Sequence, residues 1–169
     1  MNVPPGARLA ALLLAALVLQ LSVASRVEVL GARPDILAVV AIASGLVLGP
    51  ERGATFGFAA GLLEDLFLTT PFGLTALVWG ATAWTAGHIV TTIAHPTRAT
   101  AIAVAAVGTF AGTVAFALVG ALLGEEQLVT GRLPAIAVVE GLVGALLVLP
   151  AMAALRRAAA DLEPAGARR

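Results

Sequence analysis

Long stretches without a charged side chain alternate with short polar connectors along this chain, and that pattern limits the folds open to it. Residues 99–124, for example, contain no Asp, Glu, Lys or Arg. Of the 169 residues 60% are hydrophobic and 12% are charged, whereas soluble domains carry about 25% charged residues. A soluble domain of this size could not bury so much apolar surface. The pattern predicts an all-α polytopic membrane protein with one integral membrane domain, residues 1–169.

Six transmembrane helices are predicted, and two of them are short. The first follows Arg8 and resembles a secretory signal with a cleavage-like Ser-Val-Ala-Ser, but we expect it to be retained as a span. The second and third would be roughly 21–24 Å long, below the ~30 Å hydrocarbon core. We expect both to cross with local thinning; the alternative is a re-entrant pair buried in protein. The predicted segments are residues 9–25, 36–49, 53–68, 72–93, 99–123 and 133–155, with a break at residues 50–53.

The basic residues, all of them Arg, are distributed unevenly between the connectors. With six spans, seven of the ten fall on the side of the two termini: Arg8, Arg52, Arg98, Arg156, Arg157, Arg168 and Arg169. Short loops rich in Arg stay in the cytoplasm, so both termini are predicted to be cytoplasmic. The net charge is zero, which gives no indication of a nucleic-acid partner.

Glycines repeat every four residues on the third predicted helix, at Gly53, Gly57 and Gly61, and Asp65 continues the row. Residues four apart lie on one helix face, and rows of small residues let two membrane helices approach closely. The row serves either the protein's own packing or the docking of a partner's helix. We expect residues 53–77, with a turn at residues 71–73, to form a close-packed membrane hairpin with a polar corner, around which the rest of the chain is arranged.

A second glycine row lies on the fifth predicted helix and is less regular. It begins with Gly108 and Gly112, and Phe116 occupies the next place in it. The ring leaves short grooves on that face rather than one continuous channel. One of the two rows could serve the fold and the other an assembly, and the sequence does not say which.

Acidic residues lie at three places in or beside the apolar segments. Asp35 follows Pro34 at the predicted start of a helix, where its charge suits the positive helix end. Glu64 and Asp65 lie at the outer boundary of the third span. Glu140 is placed about 10 Å into the sixth span, where an ionisable group costs roughly 3 kcal/mol unless it is partnered or neutral. Each is either a structural hydrogen-bonding group or a contact to a ligand or partner.

Motifs for metal binding and catalysis are missing from the sequence. There is no cysteine, and His88 and His95 have no carboxylate beside them at metal-ligand spacing. No nucleophile elbow, HExxH pair or phosphate-binding loop occurs. We therefore predict no metal site, no cofactor and no enzymatic activity.

Three motifs in fixed order carry a family resemblance. Residues 33–37 read RPDIL, residues 57–66 read GFAAGLLEDL, and residues 71–77 read PFGLTAL. Their order and spacing resemble the rod shape-determining protein MreD family, as do the chain length and the count of five or six spans. That family commonly has Asn where this chain has Thr75.

The resemblance implies a non-catalytic scaffold subunit of the bacterial cell-elongation complex, located in the cytoplasmic membrane. It implies binding to MreC, which has one membrane span, and through MreC a connection to RodA, the elongation penicillin-binding protein and MreB in peptidoglycan synthesis. It also implies a helix arrangement similar to the S-components of energy-coupling-factor transporters. The alternative function is a vitamin- or small-molecule-binding S-component, with an outward pocket lined by Asp65, Glu140 and Trp residues.

Two surfaces are candidate sites for MreC. The first is the row Gly53, Gly57 and Gly61. The second is the face of Gly108 and Gly112, with Phe116 as a knob beside it. The outer end of the site would be shaped by Asp35, Asp65, Pro71, Phe72 and Gly73.

Overall fold

The computed structural model describes residues 4–22, 26, 28 and 31–160, and within them every regular element is helical. In this part of the chain six α-helices are connected by short loops, and a 3-10 turn, Glu126–Leu128, precedes the last helix. The all-α prediction is confirmed for this part of the chain. The cleavage-like motif extends beyond the described residues, as do Arg168 and Arg169. The helices are α1 (Pro5–Ser22), α2 (Ile36–Leu48), α3 (Pro50–Asp65), α4 (Leu74–Thr92), α5 (Arg98–Leu122) and α6 (Leu133–Ala158).

The outer surface of the bundle is apolar. Helices α1, α5 and α6 are each long and apolar enough to cross a membrane, and α2 is a shorter apolar helix. Large aliphatic side chains point away from the bundle, with Leu142 and Leu146 of α6 exposed by 66% and 76%. Such a surface is suited to lipid and not to water. The chain is therefore a membrane protein.

Helix α2 is the centre of the bundle. Ten of its thirteen residues are buried, and it packs against all five other helices. Its sequence, ILAVVAIASGLVL, is apolar on every side, which is typical of a helix enclosed by others. Residues 53–77 form the predicted close-packed hairpin, since α3 packs closely along α4. The chain is nevertheless arranged around α2, because α3 and α4 cover one side of α2 while α1, α5 and α6 cover the rest.

A single residue, Gly49, separates α2 from α3. Its φ of 84° lies in the left-handed region, which glycine adopts without strain. Pro50 then occupies the first turn of α3, where its fixed φ suits the helix and its missing N–H costs no hydrogen bond. The predicted end of the second helix is therefore confirmed to within a residue, but the break is Gly49 alone, since residues 50–53 already form the first turn of α3.

Consecutive helices run in opposite directions, which gives the bundle two distinct ends. The acidic end holds the start of α2, α4 and α6 and the end of α3, with Asp35, Glu64, Asp65 and Glu140. The arginine end holds the start of α5 and the end of α6, where Arg98 and Arg156 line one cavity with Leu46 of α2. Helix α2 thus extends towards both ends despite its short length.

Candidate functional site

The carboxylate of Asp65 binds the first turn of α4. Its Oδ2 accepts hydrogen bonds from the backbone N–H groups of Gly73 at 2.9 Å and Ala76 at 3.2 Å, and its Oδ1 accepts one from Thr75 at 3.1 Å. Asp65 is only 3% exposed. The first N–H groups of a helix have no partner inside it, so this acceptor completes the start of α4. Asp65 joins α3 to α4 at the acidic end.

The turn between α3 and α4 brings the N–H groups at the start of α4 to the Asp65 carboxylate. Gly73 has a φ of 94°, and it presents its N–H to Asp65 from a left-handed conformation. Pro71 accepts a backbone hydrogen bond from Leu74. Phe72 is 65% exposed and contributes its ring to the surface beside the turn. The predicted turn at residues 71–73 is confirmed.

Three side chains from different parts of the chain complete the start of α2. The backbone N–H of Asp35 donates to Glu140 Oε2 at 3.1 Å, that of Ile36 to Gln20 Oε1 at 2.7 Å, and that of Ala38 to Asp35 Oδ1 at 2.8 Å. Glu140, 4% exposed, is thus partnered by the start of a buried helix. Sequence reasoning missed Gln20, although it is the one side-chain amide within the apolar run of α1.

Glu64 and Trp79 connect the acidic end to the fifth helix. The indole Nε1 of Trp79 donates to Glu64 Oε2 at 3.2 Å, and the indole ring lies over Gly112, leaving no space for a Cβ there. Gly112 is therefore needed to accommodate Trp79. Sequence reasoning missed this contact, although a buried Trp requires an acceptor for its N–H.

A cavity of about 560 Å³ opens at the acidic end. Side chains of Asp35, Glu140, Thr75 and Trp79 line it. Phe116 lines this cavity too, so it does not stand as a knob beside Gly108 and Gly112. Asp65 does not line this cavity; its carboxylate lies against the backbone of α4 instead.

The Gly53, Gly57 and Gly61 row is occupied by the protein's own helices. A Cβ at Gly53 would collide with the backbone of Gly45 in α2, and one at Gly57 would lie 2.8 Å from the carbonyl oxygen of Trp79 in α4. Gly61 is pressed in the same way against the backbone of α4. A partner's helix could not lie along this row without displacing α2 or α4. The first-choice docking surface is therefore part of the fold.

A groove between α4 and α5 remains open on the outside of the bundle, with a volume of about 440 Å³. We call it the α4/α5 groove. Nine of its twelve lining residues are Gly, Ala or Thr, and the remaining three are Ile or Val. Gly108 and Gly112 form part of its floor, and Ala81 and Ala111 are exposed within it. Sequence reasoning found the two glycines but missed the alanines, whose spacing does not stand out in an alanine-rich chain.

One of the two histidines packs against an aromatic ring. His88 stacks on Trp84, with ring centroids 5.2 Å apart and planes inclined by 4°. Among residues 4–22, 26, 28 and 31–160, no three His, Asp or Glu side chains come together in a way that could hold a metal ion.

Comparison with known proteins gives one match. The family model described as rod shape-determining protein MreD matches residues 6–157, nearly the whole chain. None of the curated proteins or solved structures compared with the chain matches it. The family match confirms the resemblance carried by the three motifs, and it extends over all six helices. The chain belongs to the MreD family of rod shape-determining proteins.

Proposed function

We propose that this protein is a non-catalytic scaffold of the cell-elongation complex that holds the single membrane helix of MreC in the α4/α5 groove. Through MreC it would support peptidoglycan synthesis by RodA and its penicillin-binding partner. It would be connected to MreB indirectly, also through MreC. The observation that carries the proposal is the groove itself, which is open, apolar and lined by small side chains.

The chemistry of the groove favours a helix as its occupant. Van der Waals packing against small residues drives the association of membrane helices, because lipid offers no hydrophobic driving force between them. The groove's hydroxyl groups are already satisfied within α4: Thr82 Oγ1 donates to the carbonyl of Val78, and Thr85 Oγ1 to that of Ala81. The groove is therefore suited to an occupant with an apolar surface, which need not form hydrogen bonds with it.

The proposed orientation follows from the distribution of charge. Six spans in the bacterial cytoplasmic membrane would place the arginine end and both termini in the cytoplasm and the acidic end outside. Gln20 at the end of α1 bonds the start of α2, so α1 begins at the arginine end, where Arg8 adds to the positive charge. A helix arrangement similar to that of the S-components is part of the same proposal.

Filling the groove is expected to release MreC. Ala111→Phe places a ring in the groove from a residue that is exposed, so the bundle can still fold. We expect MreC recovered with the purified protein to fall about tenfold or more, since about 1.4 kcal/mol of lost packing has that effect. Copurification from native membranes measures it, and Ala81→Phe on the opposite wall should act alike.

Ala11→Phe is the matched control, because Ala11 is an exposed alanine of α1 that lies outside the groove. It should leave the recovery of MreC unchanged. If Ala111→Phe and Ala81→Phe both insert normally and retain MreC at the wild-type level, the groove does not hold its helix.

A substrate-binding transport subunit is the second candidate function, and the 560 Å³ cavity at the acidic end favours it. Its volume lies in the range of small-molecule sites. This function requires an ATPase partner and a vitamin-like ligand. Native mass spectrometry that finds such a ligand in every preparation, and copurification that finds an ATPase in place of MreC, would favour it over the scaffold.

A further inference from the structure

A cavity of about 610 Å³ lies at the arginine end of the bundle, where α5 begins and α6 ends. Two of the apolar side chains that line it, Leu46 of α2 and Met152 of α6, are buried. Leu149 and Ala153 of α6 also line it and are exposed. The cavity therefore extends from the outer surface of the bundle to an apolar interior wall, and lipid can reach it from the side.

Two guanidinium groups line the same cavity, those of Arg98 in α5 and Arg156 in α6. Its described lining residues include no carboxyl group. Within the described part of the chain, neither arginine forms an ion pair or a side-chain hydrogen bond. Two like charges that share one cavity repel each other, and an anion between them would relieve that repulsion. The cavity therefore has an uncompensated positive charge.

Arg98 is the first residue of α5, where its charge does not stabilise the helix. The amino end of a helix carries a partial positive charge, so a cation there is unfavourable. The cap is formed by two other residues: Thr97 Oγ1 accepts the N–H of Thr100, and Thr100 Oγ1 accepts the N–H of Thr97. The start of α5 is thus held without Arg98, and the helix end and the guanidinium group both favour an anion.

The lengths of α5 and α6 place the cavity near the headgroups of a membrane. At 1.5 Å per residue the two helices are roughly 37 and 39 Å long, which exceeds the ~30 Å hydrocarbon core and approaches the ~40–45 Å that includes the headgroups. Arg98 in the first turn of α5 and Arg156 in the last turn of α6 therefore lie at the level of the lipid phosphates. Guanidinium groups bind phosphate through paired hydrogen bonds, and basic pockets between membrane helices bind anionic headgroups.

We propose that this cavity binds one anionic phospholipid, with its phosphate between Arg98 and Arg156 and the start of an acyl chain against Leu149 and Met152. A free phosphate ion suits the cavity less well, because it would leave the apolar wall without contacts. The cavity shares no lining residue with the α4/α5 groove, so the proposal does not depend on MreC binding there.

Phosphatidylglycerol is the probe, and phosphatidylcholine with the same acyl chains is the comparison. Both lipids carry a phosphate, but the ammonium group of phosphatidylcholine would be repelled by the two arginines. Native mass spectrometry of the purified, delipidated full-length protein should show one bound phosphatidylglycerol at concentrations where phosphatidylcholine does not bind. Inorganic phosphate and glycerophosphoglycerol, the deacylated headgroup, should bind about tenfold or more weakly than the lipid, because they lack the apolar contacts.

Two charge variants and a matched control locate the phosphate. Arg98→Gln and Arg156→Gln should each lower the affinity for phosphatidylglycerol about fivefold or more, since each removes one positive charge from the cavity. Arg157→Gln is the control, because Arg157 is exposed, follows Arg156 in the same turn of α6 and does not line the cavity. It removes the same charge from the same end of the protein and should leave the affinity unchanged.

A second pair of variants tests the apolar part of the site. Ala153→Phe places a ring in the cavity from an exposed position, so the bundle can still fold, and it should weaken phosphatidylglycerol binding several-fold. Ala154→Phe makes the same change at the next residue, which is exposed and lies outside the cavity lining. It should bind the lipid like wild type.

Four results would overturn the proposal. They are equal affinity for the two lipids, a deacylated headgroup that binds as tightly as phosphatidylglycerol, full affinity in both Arg98→Gln and Arg156→Gln, and an equal loss of affinity in Arg157→Gln. The second would indicate a site for a soluble anion, and the fourth would indicate a general effect of charge at this end. If the arginine variants do not fold, full affinity in Ala153→Phe overturns the proposal alone.

Discussion

Asp65→Ala is expected to abolish folding of the protein. The substitution removes the acceptor for three backbone N–H groups, those of Gly73, Thr75 and Ala76. Each buried donor left without a partner costs about 1–3 kcal/mol. Three of them approach the 5–15 kcal/mol that stabilises a typical folded protein. Asp65 is only 3% exposed, so water does not readily replace the lost acceptor.

Size-exclusion profiles and thermal melting of the detergent-solubilised protein measure this effect. Asp65→Ala should give little monodisperse protein, and cells that depend on it should lose rod shape. Asp65→Asn retains one carbonyl oxygen, so its melting temperature should lie between those of Asp65→Ala and wild type. Glu126→Ala removes an exposed carboxyl group at the same end and should have no effect. An Asp65→Ala protein that melts like wild type would show that the cap is dispensable.

The role of Asp65 illustrates what the sequence could and could not provide. The motif around Asp65 and the turn at residues 71–73 were visible, and the helix pattern located both at one boundary. The pattern could not show that the carboxylate turns back to the backbone of α4, because that depends on the angle between α3 and α4. Glu140 is similar: its depth indicated a need for a partner, but the partner is the backbone of α2, more than a hundred residues away in the chain.

Gly53→Leu is expected to separate α2 from α3 and to destabilise the bundle severely. The backbones of Gly53 and Gly45 touch, so no side chain fits between them. Even Gly53→Ala should cost about 1–3 kcal/mol through overpacking. A leucine should also break the hydrogen bond from Ser44 Oγ to the carbonyl of Gly53, 3.1 Å long. Thermal melting and protease resistance in membranes measure both variants.

Gly6→Leu is the control, because a Cβ at Gly6 of α1 would meet nothing within 4 Å. It should match wild type or exceed it slightly, since leucine favours a helix over glycine by up to about 1 kcal/mol. Gly57→Leu and Gly112→Leu are unsuitable as tests of partner binding, because both would displace Trp79 or its neighbours. A stable Gly53→Leu protein would contradict the packing of α2 on α3.

The glycine rows show why the docking surface could not be chosen from sequence. Both rows satisfy the same spacing rule, and the rule does not state which neighbour fills the space. Helix α2 has no polar face, so its neighbours must enclose it. In the first row Gly53 packs on α2, whereas Gly57 and Gly61 pack on α4. Helix α5 lies at the edge of the bundle, and this leaves Gly108 on the floor of an open groove.

The most direct test of the account is photo-crosslinking from inside the α4/α5 groove. A photoreactive residue at Val107, which is 66% exposed and lines the groove, is compared with one at Leu146, which is 76% exposed on α6 and lies outside it. The account predicts a crosslink from position 107 to the membrane helix of MreC and none from position 146. A crosslink to MreC from position 146 with none from position 107 would contradict it.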